Sequence, residues 1–259
     1  MRDNKIKRSL TGGGPPLFGV SLTITDPFVA EVVGAADFDF VLIDTEHSPI
    51  TVNQLQTMLI ALRSGGSTVI VRSAANDPTL IKQILDLGAE GIVVPGIASP
   101  AEAAAAVAAA KYPPEGMRGF GPRRAARLDG GRAAYIDRAD DEIAVLAMIE
   151  SRDAVTALDD ILATEGLDGI LVGPADLAVS LGHLRDQDNA ETEEAIEQIF
   201  ATCQRHAFPF GIFAGTEPSA RKWSGRGARV LAIASDMQFV DAGIARTRAL
   251  ASELGGSRA

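Results

Sequence analysis

Two acids, Glu150 and Asp176, each stand just past a nearly unbroken apolar run, at 143–149 and 167–172. Short runs of this kind read as strands buried on both faces of a parallel sheet. The stretch between them, 153–164, reads as a helix, which puts both acids at the same end of adjacent parallel strands. Carboxylates placed so can converge on one hard cation, since Mg²⁺-like ions take one or two carboxylates and fill their remaining positions with water and substrate oxygens. Other strand ends add to the set: Asp44, Glu46 and His47 follow the second run, and Arg72 ends the third. His47 is flanked by acids, and a neighbouring carboxylate would orient it and raise its basicity. His183 and His206 read as surface residues. So few histidines argue against a multi-His zinc site and for oxygen-ligand Mg²⁺, Mn²⁺ or Co²⁺ chemistry. The lysines (Lys5, Lys7, Lys82, Lys111 and Lys222) all miss the strand ends, so no Schiff-base lysine is in place and carbonyl chemistry would need the cation as its electron sink. Free N–H groups at the turn Gly173-Pro174-Ala175-Asp176 would suit a substrate carboxylate.

The elements that must position these groups repeat. Apolar runs at 17–24, 38–43, 68–72, 91–95, 143–149, 168–172, 210–213 and 229–234 alternate with helical patterns. That alternation predicts an α/β fold, and eight such units match a (β/α)₈ TIM barrel of about 250 residues. A doubly wound sheet is the runner-up, without the Gly-x-Gly-x-x-Gly turn it often carries. Thr51 caps a helix with Leu55, Met58, Leu59 and Leu62 on one face, and Gly65-Gly66 ends it. Asp77-Pro78 opens the next, with Gly88 closing it. The alanine-rich stretch 101–110 is a close-packing helix. The segment 112–140 is rich in Gly, Pro and Arg and too long for an ordinary connector, which suggests a lid or disorder. Residues 1–16 read as a flexible leader and 17–259 as the barrel domain.

Composition excludes several classes. A net charge of −10, with no polybasic cluster beyond the first eight residues, argues against nucleic acid as a partner. No stretch approaches ~18 consecutive apolar residues, which argues against a membrane span. The single cysteine, Cys203, cannot close an internal disulfide and suits a reducing cytoplasm, where it reads as a buried, inert thiol.

Five pieces occur in order: the run 39–47 ending Asp44-Thr45-Glu46-His47, Val71-Arg72 with Asn76-Asp77-Pro78, the run 112–119 opening Tyr112-Pro113-Pro114, Ile149-Glu150, and Gly173-Pro174-Ala175-Asp176-Leu177. Together they resemble the HpcH/HpaI family of metal-dependent pyruvate aldolases over about residues 17–254. The resemblance implies a barrel, assembled as a homo-oligomer (a hexamer), that reversibly cleaves a 4-hydroxy-2-oxo acid to pyruvate and an aldehyde with a divalent cation. By the same resemblance Glu150 and Asp176 are the metal ligands, His47 the base, and Arg72 the residue stabilising the enolate oxygen. Asp86 would raise the basicity of the histidine, and the backbone of Ala175 and Asp176 would hold the substrate carboxylate. Arg123 and Arg124 could reach over the barrel mouth to an anionic aldehyde tail. Three departures bear on the substrate: Met148 replaces a glutamine common in relatives, the lid reads Gly119-Phe120-Gly121-Pro122-Arg123-Arg124 in place of a Gly-Val-Gly-Ser type, and Gly96 stands where a larger residue is usual. The alternatives are a citrate-lyase-like acyl-CoA lyase and a barrel that binds a 2-oxo acid without turnover.

Overall fold

The computed structural model describes residues 3–128 and 130–255. Eight parallel strands pair in chain order and the last closes on the first: β1 (Leu17–Leu22), β2 (Phe40–Asp44), β3 (Thr68–Arg72), β4 (Gly91–Val94), β5 (Ala144–Ile149), β6 (Gly169–Val172), β7 (Phe210–Phe213) and β8 (Val230–Ser235). The (β/α)₈ architecture is the expected one, and all eight strands fall within the apolar runs to a residue or two.

Side chains alternate across each strand, and the two faces form two separate clusters. Val41, Ile43, Val69, Val71 and Val145 pack outward against the helices. Phe40, Leu42, Ile70, Val93, Leu146 and Leu171 fill the interior, so the barrel is a packed core and not a pore. At Gly19 of β1 the interior tolerates no side chain: a Cβ there would lie 2.4 Å from the Phe40 carbonyl oxygen. The β1–β8 register shifts beside it, between Gly19 and Val20.

Helix starts obey local chemistry. Thr51 and Gln54 form a reciprocal capping box, and Asp77 accepts from the N–H groups of Thr79 and Leu80 with Pro78 in the first turn. Gly88, at φ +94°, takes the left-handed turn after the second of these helices.

Three segments depart from expectation. The leader is not loose. Lys5–Gly12 is a helix capped by Asn4, and it plugs the N-terminal end of the barrel, with Ile6 at 0% and Leu10 at 8% exposure among the interior side chains. Asn4, fully buried, donates to the carbonyls of Glu90 and Glu142 at 2.6 and 2.7 Å. Residues 1 and 2 of the leader and 256–259 of the barrel domain lie outside the described residues. The expected helix 153–164 is two short ones, Arg152–Thr156 and Leu158–Leu162, because Ala157 leaves helical geometry at φ −92°, ψ 8°. Within 112–140, the helix Gly131–Glu142 begins; its only buried side chains, Tyr135 and Ala139, give too little periodicity to read from sequence.

The seated helix makes a direct prediction. Ile6→Ala is expected to cost about 2–5 kcal/mol, the usual range for emptying a buried aliphatic site. A melting temperature equal to the parent's would mean that the helix is not seated in the barrel.

Among the described residues no helix is long and apolar enough to cross a membrane. Cys203 is buried, and burial pushes its thiol up to about 12, which makes it inert.

Candidate active site

The alternation that fills the interior also builds its top layer. Phe40 and Leu42 point inward, so Asp44 does too; Ile70 is followed by Arg72 and Met148 by Glu150. Asp44 and Arg72 are register partners on neighbouring strands. Arg72 donates from Nε and Nη2 to the two Asp44 carboxylate oxygens at 2.9 and 2.6 Å, a planar bidentate pair. Both residues are buried, at 7% and 3% exposure, so each depends on the other's charge. Nη1, which faces away from Asp44, meets Met148 Sδ at 3.5 Å and Glu46 Oε2 at 3.1 Å. The Phe213 ring lies beneath the guanidinium, 5.6 Å from centroid to Cζ.

Glu150 follows β5. Its Oε1 accepts from the Gly96 N–H at 2.7 Å, and its Oε2 is buried without a hydrogen-bond partner. Burial raises its carboxyl above the usual range, and the negative charge of Asp176 raises it further, against the Gly96 hydrogen bond. Asp176 lies in the first turn of the helix Pro174–Leu181, whose N-cap Gly173 offers no side chain to the free N–H groups. Pro174 has no N–H, so the open donors at this helix start belong to Ala175 and Asp176.

His47 Nε2 stands 3.7 Å from Asp176 Oδ2 and 3.7 Å from Glu46 Oε2. Its turn is fixed by Asp44, whose Oδ1 accepts from the N–H groups of Glu46 and His47 at 3.0 and 3.4 Å. Burial raises the Glu46 carboxyl, offset in part by Arg72, with Glu150 adding to the rise. One wall of the barrel mouth thus carries Asp44, Glu46, Glu150 and Asp176 against one permanent cation, Arg72. Excess negative charge of this kind, with a buried carboxylate oxygen left open, suits a divalent cation held by two carboxylates. Among the described residues no cluster of three or more His, Cys, Asp or Glu adds a further ligand.

Of the residues expected to act at the mouth, Arg124 lies elsewhere, and Asp86 pairs with Arg118 of its own chain. Asp86 accepts from Arg118 Nη2 at 2.7 Å, and the carboxylates within ion-pair distance of His47 are Glu46 and Asp176. Arg118 is fully buried, bonds the Tyr135 hydroxyl and lies over the Tyr112 ring, so Asp86 serves as its counter-ion. Arg124 donates to the carbonyls of Leu59 and Leu87, at the C-terminal ends of two helices, where a cation is favoured. Those helix ends lie at the barrel's opposite end from the mouth, so Arg124 cannot meet a substrate tail there. Arg123 is exposed. Lys111 is buried near Lys7, which pairs with Asp168 ahead of β6, and Lys222 pairs with Glu193 and Glu197. His183 and His206 pair on the surface with Glu191 and Asp159.

Sequence reasoning missed Phe213 and the tight fit of Gly173. An aromatic residue at the inward position ending β7 was the available signal for the first. A Cβ on Gly173 would lie 2.6 Å from Met148 Cε and 3.2 Å from Glu150 Oε2. Gly173→Ala is therefore expected to push Glu150 aside and weaken divalent-cation binding by about 10–100-fold, the range for disturbed support of a ligand. Titration calorimetry giving the parent affinity would refute this.

A family model described as HpcH/HpaI aldolase/citrate lyase matches residues 18–242. The 5-keto-4-deoxy-D-glucarate aldolase of Klebsiella pneumoniae subsp. pneumoniae is 38% identical over 234 residues, 90% of this chain and 91% of that protein. The crystal structure of an HpcH/HpaI aldolase/citrate lyase family protein from Burkholderia cenocepacia superposes with a TM-score of 0.90 at 34% identity, covering 98% of this chain and all of the other. The citrate synthase SbnG superposes at 0.86 with 29% identity, covering 97% of this chain and 98% of that one.

Proposed function

The chain belongs to the HpcH/HpaI aldolase/citrate lyase family, and from that premise we propose how its own residues divide the work of the reaction. It is a carbon–carbon lyase, a class II aldolase cleaving hydroxy-oxo acids. The observation that carries the residue assignment is the open, buried Oε2 of Glu150 on the wall shared with Asp176, Arg72 and His47.

Glu150 and Asp176 would hold the divalent cation, which when bound supplies Lewis acidity at the carboxylate and keto oxygens of a 4-hydroxy-2-oxo acid. The N–H groups of Ala175 and Asp176 orient the substrate carboxylate at the helix start. Arg72, braced by Asp44 through Nε and Nη2, sets its positive charge beside the keto oxygen, where negative charge gathers as the C3–C4 bond breaks. His47 accepts the C4 hydroxyl proton in cleavage and, in the reverse direction, a methyl proton of pyruvate. Met148 sets its thioether 3.5 Å from Arg72 Nη1, so the substrate gains no amide there. By the family resemblance Asp86 would raise the basicity of His47; within its own chain it pairs with Arg118.

The aldolase relative favours this reading over an acyl-CoA lyase or a barrel without turnover. Its named substrate, 5-keto-4-deoxy-D-glucarate, is the first acid to test. Exchange of pyruvate methyl protons, followed by NMR with Mg²⁺, Mn²⁺ or Co²⁺ and then with chelator, decides the chemistry. Absence of metal-dependent exchange would overturn it.

Assembly into a homo-oligomer is part of the proposal. The helix Asp236–Gly255 exposes Phe239, Val240 and Ile244, and the helix Pro27–Gly34 exposes Phe28 and Val32, apolar side chains that further copies would cover. A hexamer is the expected size, and light scattering measures it. A cytoplasmic setting suits the unpaired Cys203.

A further inference from the structure

A cavity of about 730 Å³ adjoins the reaction site and has no part in the division of work given above. Pro174, Ala175 and Phe213 form its near wall, and its other walls come from the helices Ala190–Arg205 and Glu217–Arg226 with the loops that precede them. That volume lies within the ~300–1,000 Å³ of ordinary small-molecule pockets. In the proposed reaction the cation, Arg72 and the N–H groups of Ala175 and Asp176 take the oxygens of the 2-oxo acid half. The carbons beyond C4 need space of their own, and the cavity shares residues with the site that releases them. Its buried lining is apolar: Ile196, Ile212 and Trp223. Its more open lining offers neutral hydrogen-bonding groups. Ser219 Oγ and the Gln187 amide make no hydrogen bond among the described residues, and Thr216 Oγ1, which accepts from the Ser219 N–H, keeps its own proton to donate. Lys222 is the one cation lining the cavity among the described residues, and Glu193 and Glu197 both engage its ammonium. Asp188, exposed at the end of the loop before the helix Ala190–Arg205, adds a second negative charge beside Glu193.

We propose that this cavity receives the aldehyde half of the substrate and selects an uncharged, hydroxylated tail over a carboxylated one. The inference rests on the aldolase reading given above. A hydroxylated chain finds donors and acceptors in Ser219, Thr216 and Gln187 without displacing an existing side-chain ion pair. A carboxylate in the same place meets Asp188 and Glu193 and must compete with two glutamates for Lys222, and like charges set together select against a partner. The aldolase relative's acid, a glucarate derivative, ends in a second carboxylate. The acceptor of this chain therefore differs from that acid's aldehyde at the far end, while the 2-oxo acid half is shared.

The test uses the full-length protein loaded with Mn²⁺, pyruvate as donor and three aldehydes as acceptors. Glycolaldehyde is too short to fill the cavity, D-erythrose carries an uncharged hydroxylated tail, and succinic semialdehyde has the same chain length but ends in a carboxylate. The parent is expected to favour D-erythrose over succinic semialdehyde by about tenfold or more in kcat/KM. Ser219→Phe puts a ring into the cavity and should lower the ratio of D-erythrose to glycolaldehyde kcat/KM by about 10–100-fold, the scale on which a pocket discriminates by a methylene or two. Asp188→Arg supplies a free cation and should move the preference about tenfold toward succinic semialdehyde. Each readout is a ratio within one protein, so a variant that folds in lower yield gives the same answer. A parent that prefers succinic semialdehyde overturns the inference, as does a parental D-erythrose to glycolaldehyde ratio in Ser219→Phe or an unmoved preference in Asp188→Arg. A parent with no metal-dependent pyruvate proton exchange would sink the aldolase reading itself, whereas an active parent with these ratios unmoved sinks this inference alone.

Discussion

Glu150→Gln is expected to abolish useful turnover, lowering kcat by about 10³-fold, the upper range for losing one preorganised electrostatic contact. The substitution is nearly isosteric, and the amide oxygen can still accept from the Gly96 N–H, so the end of β5 keeps its geometry. What it loses is charge at the buried oxygen that takes no hydrogen bond. The stability effect runs the other way. Without cation, Glu150 is desolvated and repelled by Asp176, so a neutral amide there relieves both terms. The variant should therefore melt at or above the parent in chelator. On adding cation the parent should gain about 2.7 kcal/mol at a hundredfold excess over Kd, by mass action on the folded state, and the variant nothing. Thermal melts with and without Mn²⁺, beside the exchange assay, test both halves. A variant that keeps full activity, or gains stability with cation as the parent does, would remove Glu150 from the cation site.

Arg72→Ala should damage fold and chemistry together. Deleting one partner of a buried ion pair leaves the other charged and unpaired, at about 3–5 kcal/mol, and Asp44 would be that partner. In the proposed reaction the same deletion would remove the guanidinium charge from the keto oxygen, for a further loss of about 10²–10³-fold in rate. Arg72→Lys separates the two effects. A lysine restores a positive charge to Asp44 but cannot reach both of its oxygens and still present a third donor. Urea denaturation should recover much of the lost stability for Arg72→Lys, while exchange stays near the alanine level. Equal activity of Arg72→Lys and parent would mean that charge alone, and not the forked geometry, is what the site uses.

The barrel was legible because its strands are short, apolar and evenly separated, and strand parity then delivered Asp44, Arg72 and Glu150 to one layer. What sequence could not display were effects created by tertiary neighbours. The helix Lys5–Gly12 has only Ile6 and Leu10 as apolar anchors among charged and small residues, and its burial exists only because the barrel's open end accepts them. Arg124 sits in a Gly/Pro/Arg-rich stretch that reads as a mouth loop, yet the chain doubles back to the helix ends at Leu59 and Leu87. Asp86 carried a role by resemblance alone, and the three side chains that meet Arg118, those of Asp86, Tyr112 and Tyr135, come from well-separated parts of the chain. The closeness of Glu46 to Arg72 likewise needed β2 and β3 side by side.

The filled interior also bears on the order of traffic. With Ile6 and Leu10 packed at one end and Met148 and Leu171 filling the middle, reactants have only the mouth to approach from. In the proposed reaction the 2-oxo acid, on the inner wall of Glu150 and Asp176, would stand behind the aldehyde. Product-inhibition kinetics are then expected to show the aldehyde leaving first and the oxo acid last, and in synthesis the oxo acid entering before its partner.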